Sequence, residues 1–311
     1  MSLINKLNHF GKNNTPFFFV ISYDLKSYDV ISLENMPKNI LFKINEKNIT
    51  NKKSNLLIEK PIFSNYKKKF EDILSNIKNG NTYIANLTCK TLINQELNLK
   101  GIYDKSNSKY NLYYKNKFIS FSPEPFIKIS NNIISSYPMK GTIDAKINNA
   151  KNILLNNKKE LAEHTMIVDL IRNDLSIVAS DVKVDKFRYC EKIYAGTKEL
   201  YQTSSKISAM LDNNWNENIG DIITSLLPAG SITGTPKKST INILNNIEDY
   251  NRDYYTGIWG IYDGKTLDSS VLIRFIENDN GKYYYKSGGG ITIDSVCIDE
   301  YNEMIDKIYL P

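Results

Sequence analysis

Tyr110-Asn111-Leu112-Tyr113-Tyr114, Phe118-Ile119-Ser120-Phe121-Ser122, Phe126-Ile127-Lys128-Ile129 and Ile133-Ile134-Ser135-Ser136 follow one another along the chain with only short turns between them. Each run is rich in β-branched and aromatic residues and is bounded by Asn, Lys or Pro. The middle of the chain therefore reads as antiparallel sheet joined by tight turns. A further strand precedes it from Tyr83 to Leu92. A helix is expected from about Asn65 to Ile77, ending at the turn Asn79-Gly80-Asn81. Before that helix, short β-like runs (Phe17 to Tyr23, Asn39 to Ile44) alternate with Lys/Asn-rich turns. After the strands, from about Ala145, the period becomes helical, with Leu154, Leu155, Leu161, Ala162, Met166, Val168 and Ile171 supplying apolar faces. No Pro/Ser-rich linker, internal repeat or low-complexity tract divides the chain. Residues 1–60 read as a short β-rich N-terminal part of the same unit as a main domain over 61–311, and the class expected is α+β.

Composition removes several classes of function. The chain has 311 residues, 41% hydrophobic and 24% charged, as a soluble globular protein does. No apolar run is long enough to span a membrane, and Phe17-Phe18-Phe19-Val20-Ile21 is too short for a secretory segment and reads as a buried strand. A cytoplasmic protein is expected. The three cysteines, Cys89, Cys190 and Cys297, form no Cys-x-x-Cys or Cys/His group, which argues against a disulfide framework and a zinc site. The formal charge of +6 comes from scattered lysines and not from a basic stripe interleaved with aromatics, so no nucleic-acid partner is expected.

Five stretches carry chemistry. In Pro138-Met139-Lys140-Gly141-Thr142 a lysine stands against a glycine turn. Such a lysine becomes a nucleophile once desolvation or neighbouring charge lowers its pKa, and as a bland alternative it is a solvated loop residue. Glu160 and Glu163, three apart, project from one side of the following helix, either as a solvated face against Lys158 and Lys159 or as metal ligands. Glu300 and Glu303 repeat that spacing on a C-terminal helix whose apolar stripe is Tyr301, Met304, Ile305 and Ile308. Two Glu-x-x-Glu ladders make a plausible magnesium site, because hard carboxylate oxygens suit that ion and leave positions for water or substrate. Between them, Leu227 to Lys237 is a Gly/Ser/Thr loop opening a helix, where free N–H groups and the helix dipole can seat a carboxylate; the spacing does not satisfy a Walker loop. Gly288-Gly289-Gly290 reads either as a close backbone approach to a ligand or as a tight turn.

In this order the motifs resemble the chorismate-utilising enzymes, which include anthranilate synthase component I, aminodeoxychorismate synthase component I, isochorismate synthase and salicylate synthase. The resemblance covers roughly residues 60 to 311. It is carried by Pro-Met-Lys-Gly-Thr at 138, the Glu-Leu-Ala-Glu-His-Thr-Met-Ile-Val-Asp-Leu-Ile-Arg-Asn-Asp-Leu run at 160 and Pro-Ala-Gly-Ser-Ile-Thr-Gly-Thr-Pro-Lys at 228. Tyr-Tyr-Thr-Gly-Ile-Trp-Gly at 254, Ile-Arg at 273, and Gly-Gly-Gly-Ile-Thr-Ile-Asp-Ser with Glu-Tyr-Asn-Glu at 288 to 303 complete it. It implies two facing, mostly antiparallel β-sheets wrapped by helices, with the active site between them. It implies Mg2+ held directly by Glu163 and Glu303, with Glu160 and Glu300 nearby or bridged by water. It implies substrate binding by Gly141, Thr142, Ser231, Tyr255, Arg274, Gly288, Gly289 and Gly290, with Arg274 on the enolpyruvyl carboxylate of chorismate.

Within that family Lys140 matches the aminodeoxychorismate synthase branch, in which the lysine is proposed to attack the ring covalently before ammonia displaces it. The expected product is 4-amino-4-deoxychorismate, on the route to 4-aminobenzoate and folate. The alternatives are anthranilate synthase component I and an inactive chorismate-binding subunit. Ile84 occupies the place of the lysine base of the water-adding branch, which argues against that branch. Gln202 falls where many members carry a histidine, and an amide cannot donate a proton as imidazolium does. No glutamine amidotransferase and no aminodeoxychorismate lyase is recognisable in these 311 residues. Ammonia is therefore expected from solution or from a separate amidotransferase subunit, and a separate lyase is expected downstream.

Overall fold

A computed structural model describes residues 1–45, 56–195 and 198–310. Two compact units emerge, each assembled from three chain segments: 1–37, 124–231 and 256–271 in the first, 38–123, 232–255 and 272–311 in the second. The chain thus leaves and re-enters each unit. This division cuts the chain differently from a single boundary near residue 60.

The first unit is built on one antiparallel sheet. Its strands are β1 (Phe17–Ile21), β2 (Tyr28–Ser32), β8 (Pro125–Ser130), β9 (Ile133–Ser136), β10 (Met139–Asp144), β11 (Ser180–Ala195), β12 (Lys198–Met210), β14 (Ile258–Tyr262) and β15 (Leu267–Val271). They are ordered β10-β12-β9-β8-β15-β14-β1-β2, and β11 also pairs β12. All five residues of β1 are buried, so it is an apolar run with no alternation, as a strand covered on both faces must be. The helices are α1 (Leu3–Lys12), α4 (Ala150–Asn156), α5 (Lys158–Val178) and α6 (Ile219–Leu226). The sequence reading missed α1, because only Leu3, Leu7 and Gly11 form its buried stripe. It packs on α6, where Asn8 Oδ1 accepts the Gly220 N–H at 2.7 Å.

The second unit carries an eight-stranded antiparallel sheet: β3 (Ile40–Ile44), β4 (Ile58–Glu59), β5 (Ile84–Ile93), β6 (Tyr110–Tyr114), β7 (Phe118–Ser122), β13 (Gly234–Thr235), β16 (Phe275–Asp279) and β17 (Lys282–Ile291). The order is β13-β5-β17-β16-β7-β6-β3, with β4 beside β5. Its helices are α2 (Phe63–Lys78), α3 (Leu99–Lys105), α7 (Lys237–Ile247) and α8 (Cys297–Asp306). One core forms where Tyr66, Phe70 and Ile73 of α2 and Met304 of α8 cover Ala85, Leu87 and Cys89 of β5. The polar face of β5 meets a buried ion pair, since Thr88 donates from both N and Oγ1 to Glu248, which also binds Arg252 at 2.7 Å. Among the described residues no helix is long and apolar enough to cross a membrane.

Three local readings change. The helical stretch from Ala145 is two helices, since Asn157 ends α4 and its side chain caps α5 by accepting the Glu160 N–H at 3.1 Å. The 228–237 loop is partly strand, for Gly234-Thr235 pairs with Ile84 and Ala85. Gly288 to Gly290 is neither turn nor loop; it continues β17 and pairs with Thr88, Leu87 and Asn86 of β5. A Cβ on Gly288 would lie 2.4 Å from the Leu87 carbonyl oxygen. The two strands can close to this spacing only without a side chain there. Gly288→Ala is expected to lower unfolding stability by about 1–3 kcal/mol through forced strand displacement, read as a reduced urea midpoint at unchanged denaturant slope.

Candidate active site

In the first unit the site residues are set by a bulge in β10. Lys140 pairs with Thr203 and Thr142 with Gln202, so Gly141 is an extra residue, with φ of 80°. A Cβ on it would also lie 2.7 Å from Glu160 Oε2. Glycine is thus required twice, by the backbone and by the carboxylate of α5. The bulge brings Lys140 Nζ to 2.7 Å from Glu163 Oε2, while Lys159 Nζ stands 3.8 Å from Oε1. Glu163 is only 5% exposed, and an ionised carboxylate so buried needs a cation beside it.

α5 is held in place by Arg188, which the sequence reading did not single out. Its buried guanidinium donates to the carbonyls of Leu154, Leu155 and Asn157, satisfying the last turn of α4 and the start of α5. The Arg188 N–H donates to Ser205 Oγ at 2.8 Å, and Ser205 Oγ lies 2.6 Å from His164 Nε2. His164 is fully buried, and its Nδ1 makes no hydrogen bond among the described residues. Burial first, then the charges of Arg188 and Lys140, holds its pKa down to about 4. A neutral imidazole accepting the Ser205 hydroxyl proton fits this pattern, so His164 is no proton donor at neutral pH. Gln202, opposite Thr142, keeps a buried Oε1 with no hydrogen-bond partner among the described residues. The Ser231 Oγ donates to Glu124 Oε1 at 2.8 Å, beside a cavity of about 20 Å³ that Pro138, Asp174 and Ser136 also line.

In the second unit α8 faces the glycine run. Glu300 is buried and its Oε1 accepts from Ser295 Oγ at 2.8 Å. The place a Cβ would take on Gly289 is 3.5 Å from Glu300 Oε2 and 3.6 Å from Lys307 Nζ. Lys307 Nζ donates to the Gly288 carbonyl at 2.8 Å and pairs with Glu303 at 2.8 Å. Lys307 was also missed, although its position four residues after Glu303 signals such a pair. Glu303 itself has a side chain 55% exposed. Arg274 lies between β15 and β16 and donates from Nε to Tyr309 Oη at 3.2 Å. Tyr255 is buried against Phe275, and burial pushes its phenol well above the ordinary value.

Each unit thus brings together two carboxylates on a helix, a lysine and a glycine strand. Among the described residues no group of three or more His, Cys, Asp or Glu side chains has metal-ligand spacing. The donor sets nonetheless have the right chemistry for a hard cation: paired carboxylates, one of each pair buried, each pair having a carboxylate beside a glycine.

The family model for chorismate binding enzymes matches residues 10–310, and the chain belongs to that family. The match extends well to the N-terminal side of the motifs that carry the resemblance. An uncharacterised PabA-like protein of Haemophilus influenzae is 44% identical over 318 residues, covering 99% of this chain and 96% of that protein. Aminodeoxychorismate synthase component 1 of Salmonella typhimurium is 31% identical over 260 residues, covering 78% of this chain and 56% of that longer protein. The menaquinone-specific isochorismate synthase of Escherichia coli has the same fold, with a TM-score of 0.74 at 13% identity over 97% of this chain and 79% of that one. The α+β architecture expected from the motifs, with two antiparallel sheets and helices, is the one found.

The His164 environment has a measurable consequence. Its folded pKa of about 4 lies below the ordinary 6.5, so between these values the unfolded chain takes up a proton that the folded chain refuses. Stability is complete above about pH 6.5, falls as the pH drops towards 4 and loses about 3 kcal/mol through this group before levelling off. His164→Gln is expected to flatten that part of the curve, measured as urea midpoints between pH 7 and 4.

Proposed function

We propose that this chain is an aminodeoxychorismate synthase component I, converting chorismate and ammonia to 4-amino-4-deoxychorismate. The observation that carries the reading is Lys140, presented on the Gly141 bulge with Nζ 2.7 Å from Glu163 and its side chain 24% exposed. A lysine so placed is reachable by a substrate and stands beside a carboxylate of the proposed metal site. The aminodeoxychorismate synthases among the relatives, at about 30% identity, support the same branch.

In this reading Lys140, once its ammonium has released a proton to solvent, bonds through Nζ to the ring as the ring hydroxyl departs as hydroxide. Ammonia then bonds to the ring as the C–Nζ bond breaks, returning the Nζ lone pair to Lys140; the proton that ammonia sheds neutralises the hydroxide. Glu160, Glu163, Glu300 and Glu303 would hold magnesium, which when bound supplies Lewis-acid assistance to the departing hydroxyl and charge for the ring carboxylate. Arg274 takes the enolpyruvyl carboxylate, Thr142 and Ser231 offer hydroxyls, and Gly141 and Gly288 to Gly290 allow close backbone approach. His164, neutral and turned to Ser205, leaves protonation of the leaving group to other groups. Ammonia arrives from solution or from a separate glutamine amidotransferase subunit, and a lyase takes the product on to 4-aminobenzoate.

The test is incubation of the purified chain with chorismate, magnesium and ammonium, with the product identified by liquid chromatography and mass spectrometry. 4-Amino-4-deoxychorismate, converted to 4-aminobenzoate by added lyase, is the expected result; anthranilate would assign the other aminating branch. Lys140→Ala is expected to lower kcat by at least about 100-fold, and full activity in that variant would exclude the covalent route. Removal of divalent metal with a chelator is expected to abolish turnover, and added Mg2+ to restore it.

A further inference from the structure

The main chain at Arg274 is pinned to β7. Its carbonyl accepts the Phe121 N–H at 3.1 Å, and the neighbouring Ile273 carbonyl accepts from Ser120 Oγ at 2.8 Å. The side chain beyond that anchor is long and has several rotamers, and no carboxylate pairs with it among the described residues. Tyr309 is what meets it. The phenolic oxygen accepts from Arg274 Nε at 3.2 Å, and the guanidinium carbon lies 5.5 Å from the centre of the Tyr309 ring. The two Nη groups make no hydrogen bond to a described residue. Guanidinium donors form a rigid planar fork, so engaging Nε sets the plane in which the Nη pair can bind a carboxylate.

Tyr309 is itself well held, although it lies past the end of α8. Its ring stands edge-on to Phe121 with centroids 6.1 Å apart, and Ile308, Tyr309 and Leu310 pack on the cluster containing Ile93, Ile276 and Tyr285. A phenol mounted on that core can fix a guanidinium more firmly than a solvated group could.

We propose that Tyr309 is a positioning residue for Arg274, holding the guanidinium through Nε and the ring face so that both Nη groups remain available to a carboxylate of the substrate. The proposal rests on the assignment of Arg274 to the enolpyruvyl carboxylate of chorismate. A guanidinium already ordered loses less freedom when the carboxylate arrives, so the contribution appears in substrate affinity and not in the chemical step.

The experiment compares wild type, Tyr309→Phe, Arg274→Ala and the double variant of the full chain. Chorismate affinity is measured by titration calorimetry in magnesium buffer, KM and kcat by chorismate consumption whatever the product, and folding by thermal melting. Tyr309→Phe keeps the ring and removes only Oη. It is expected to weaken chorismate binding and raise KM about 5-fold, the scale of one hydrogen bond, with kcat and Tm essentially unchanged. In the Arg274→Ala background the same change should have no further effect. An equal loss in both backgrounds, or a lowered Tm with unchanged KM, overturns the proposal while leaving Arg274 as a substrate ligand. Wild-type affinity in Arg274→Ala overturns the Arg274 assignment and the positioning role together.

Discussion

A buried carboxylate must be accompanied by a cation, and in this protein that requirement ties strand to helix. Glu163 is almost completely enclosed, and the ammonium that answers it comes from Lys140 on β10. For Lys140 to arrive there the strand must gain a residue, and that residue must be glycine because α5 brings Glu160 against it. The helix in turn keeps its place through Asn157 at its first turn and Arg188 on the carbonyls beneath. Loosening any member of this chain of contacts leaves a charge without its counter-charge.

The second unit meets the same requirement with different parts. Glu300 is enclosed on α8, Lys307 on the segment that follows reaches back to the Gly288 carbonyl and to Glu303, and the facing strand is again glycine. Here the hydroxyl of Ser295 satisfies the buried carboxylate, and the lysine serves the exposed one. Acid pairs three apart on a helix, each with a lysine near at hand, suit a divalent cation because an ammonium contact can be exchanged for a metal one without stranding the carboxylates.

A histidine in the same run as the first acidic pair serves the packing of the first unit. His164 follows Glu163 directly, yet its ring turns into the first unit, where Ser205 and Arg188 fix it and burial keeps it neutral. Its immediate effect is to tie α5 to the paired strands β11 and β12. Gln202 is the reverse case: a residue that looks like a loss from sequence retains a buried amide oxygen facing no donor among the described residues.

What the sequence determined by itself was local and periodic. The strands at 110–114, 118–122 and 133–136 follow from clustered β-branched and aromatic residues between turn residues, and the two acidic ladders follow from a spacing of three on a helix. The family, too, was legible, because its motifs stand in order. Only the tertiary structure decided that Asn157 breaks a helical period, that Gly288 to Gly290 run through a strand and not a turn, and that Leu3 to Lys12 form a helix on a narrow stripe. It also decided which charges meet: Lys140 with Glu163, Arg188 with the α4 carbonyls, Arg274 with Tyr309. The physical reason is that propensity and periodicity act between near neighbours, whereas desolvation acts on whatever the fold encloses. A buried charge finds its partner across tens or hundreds of residues, at a separation no local pattern records.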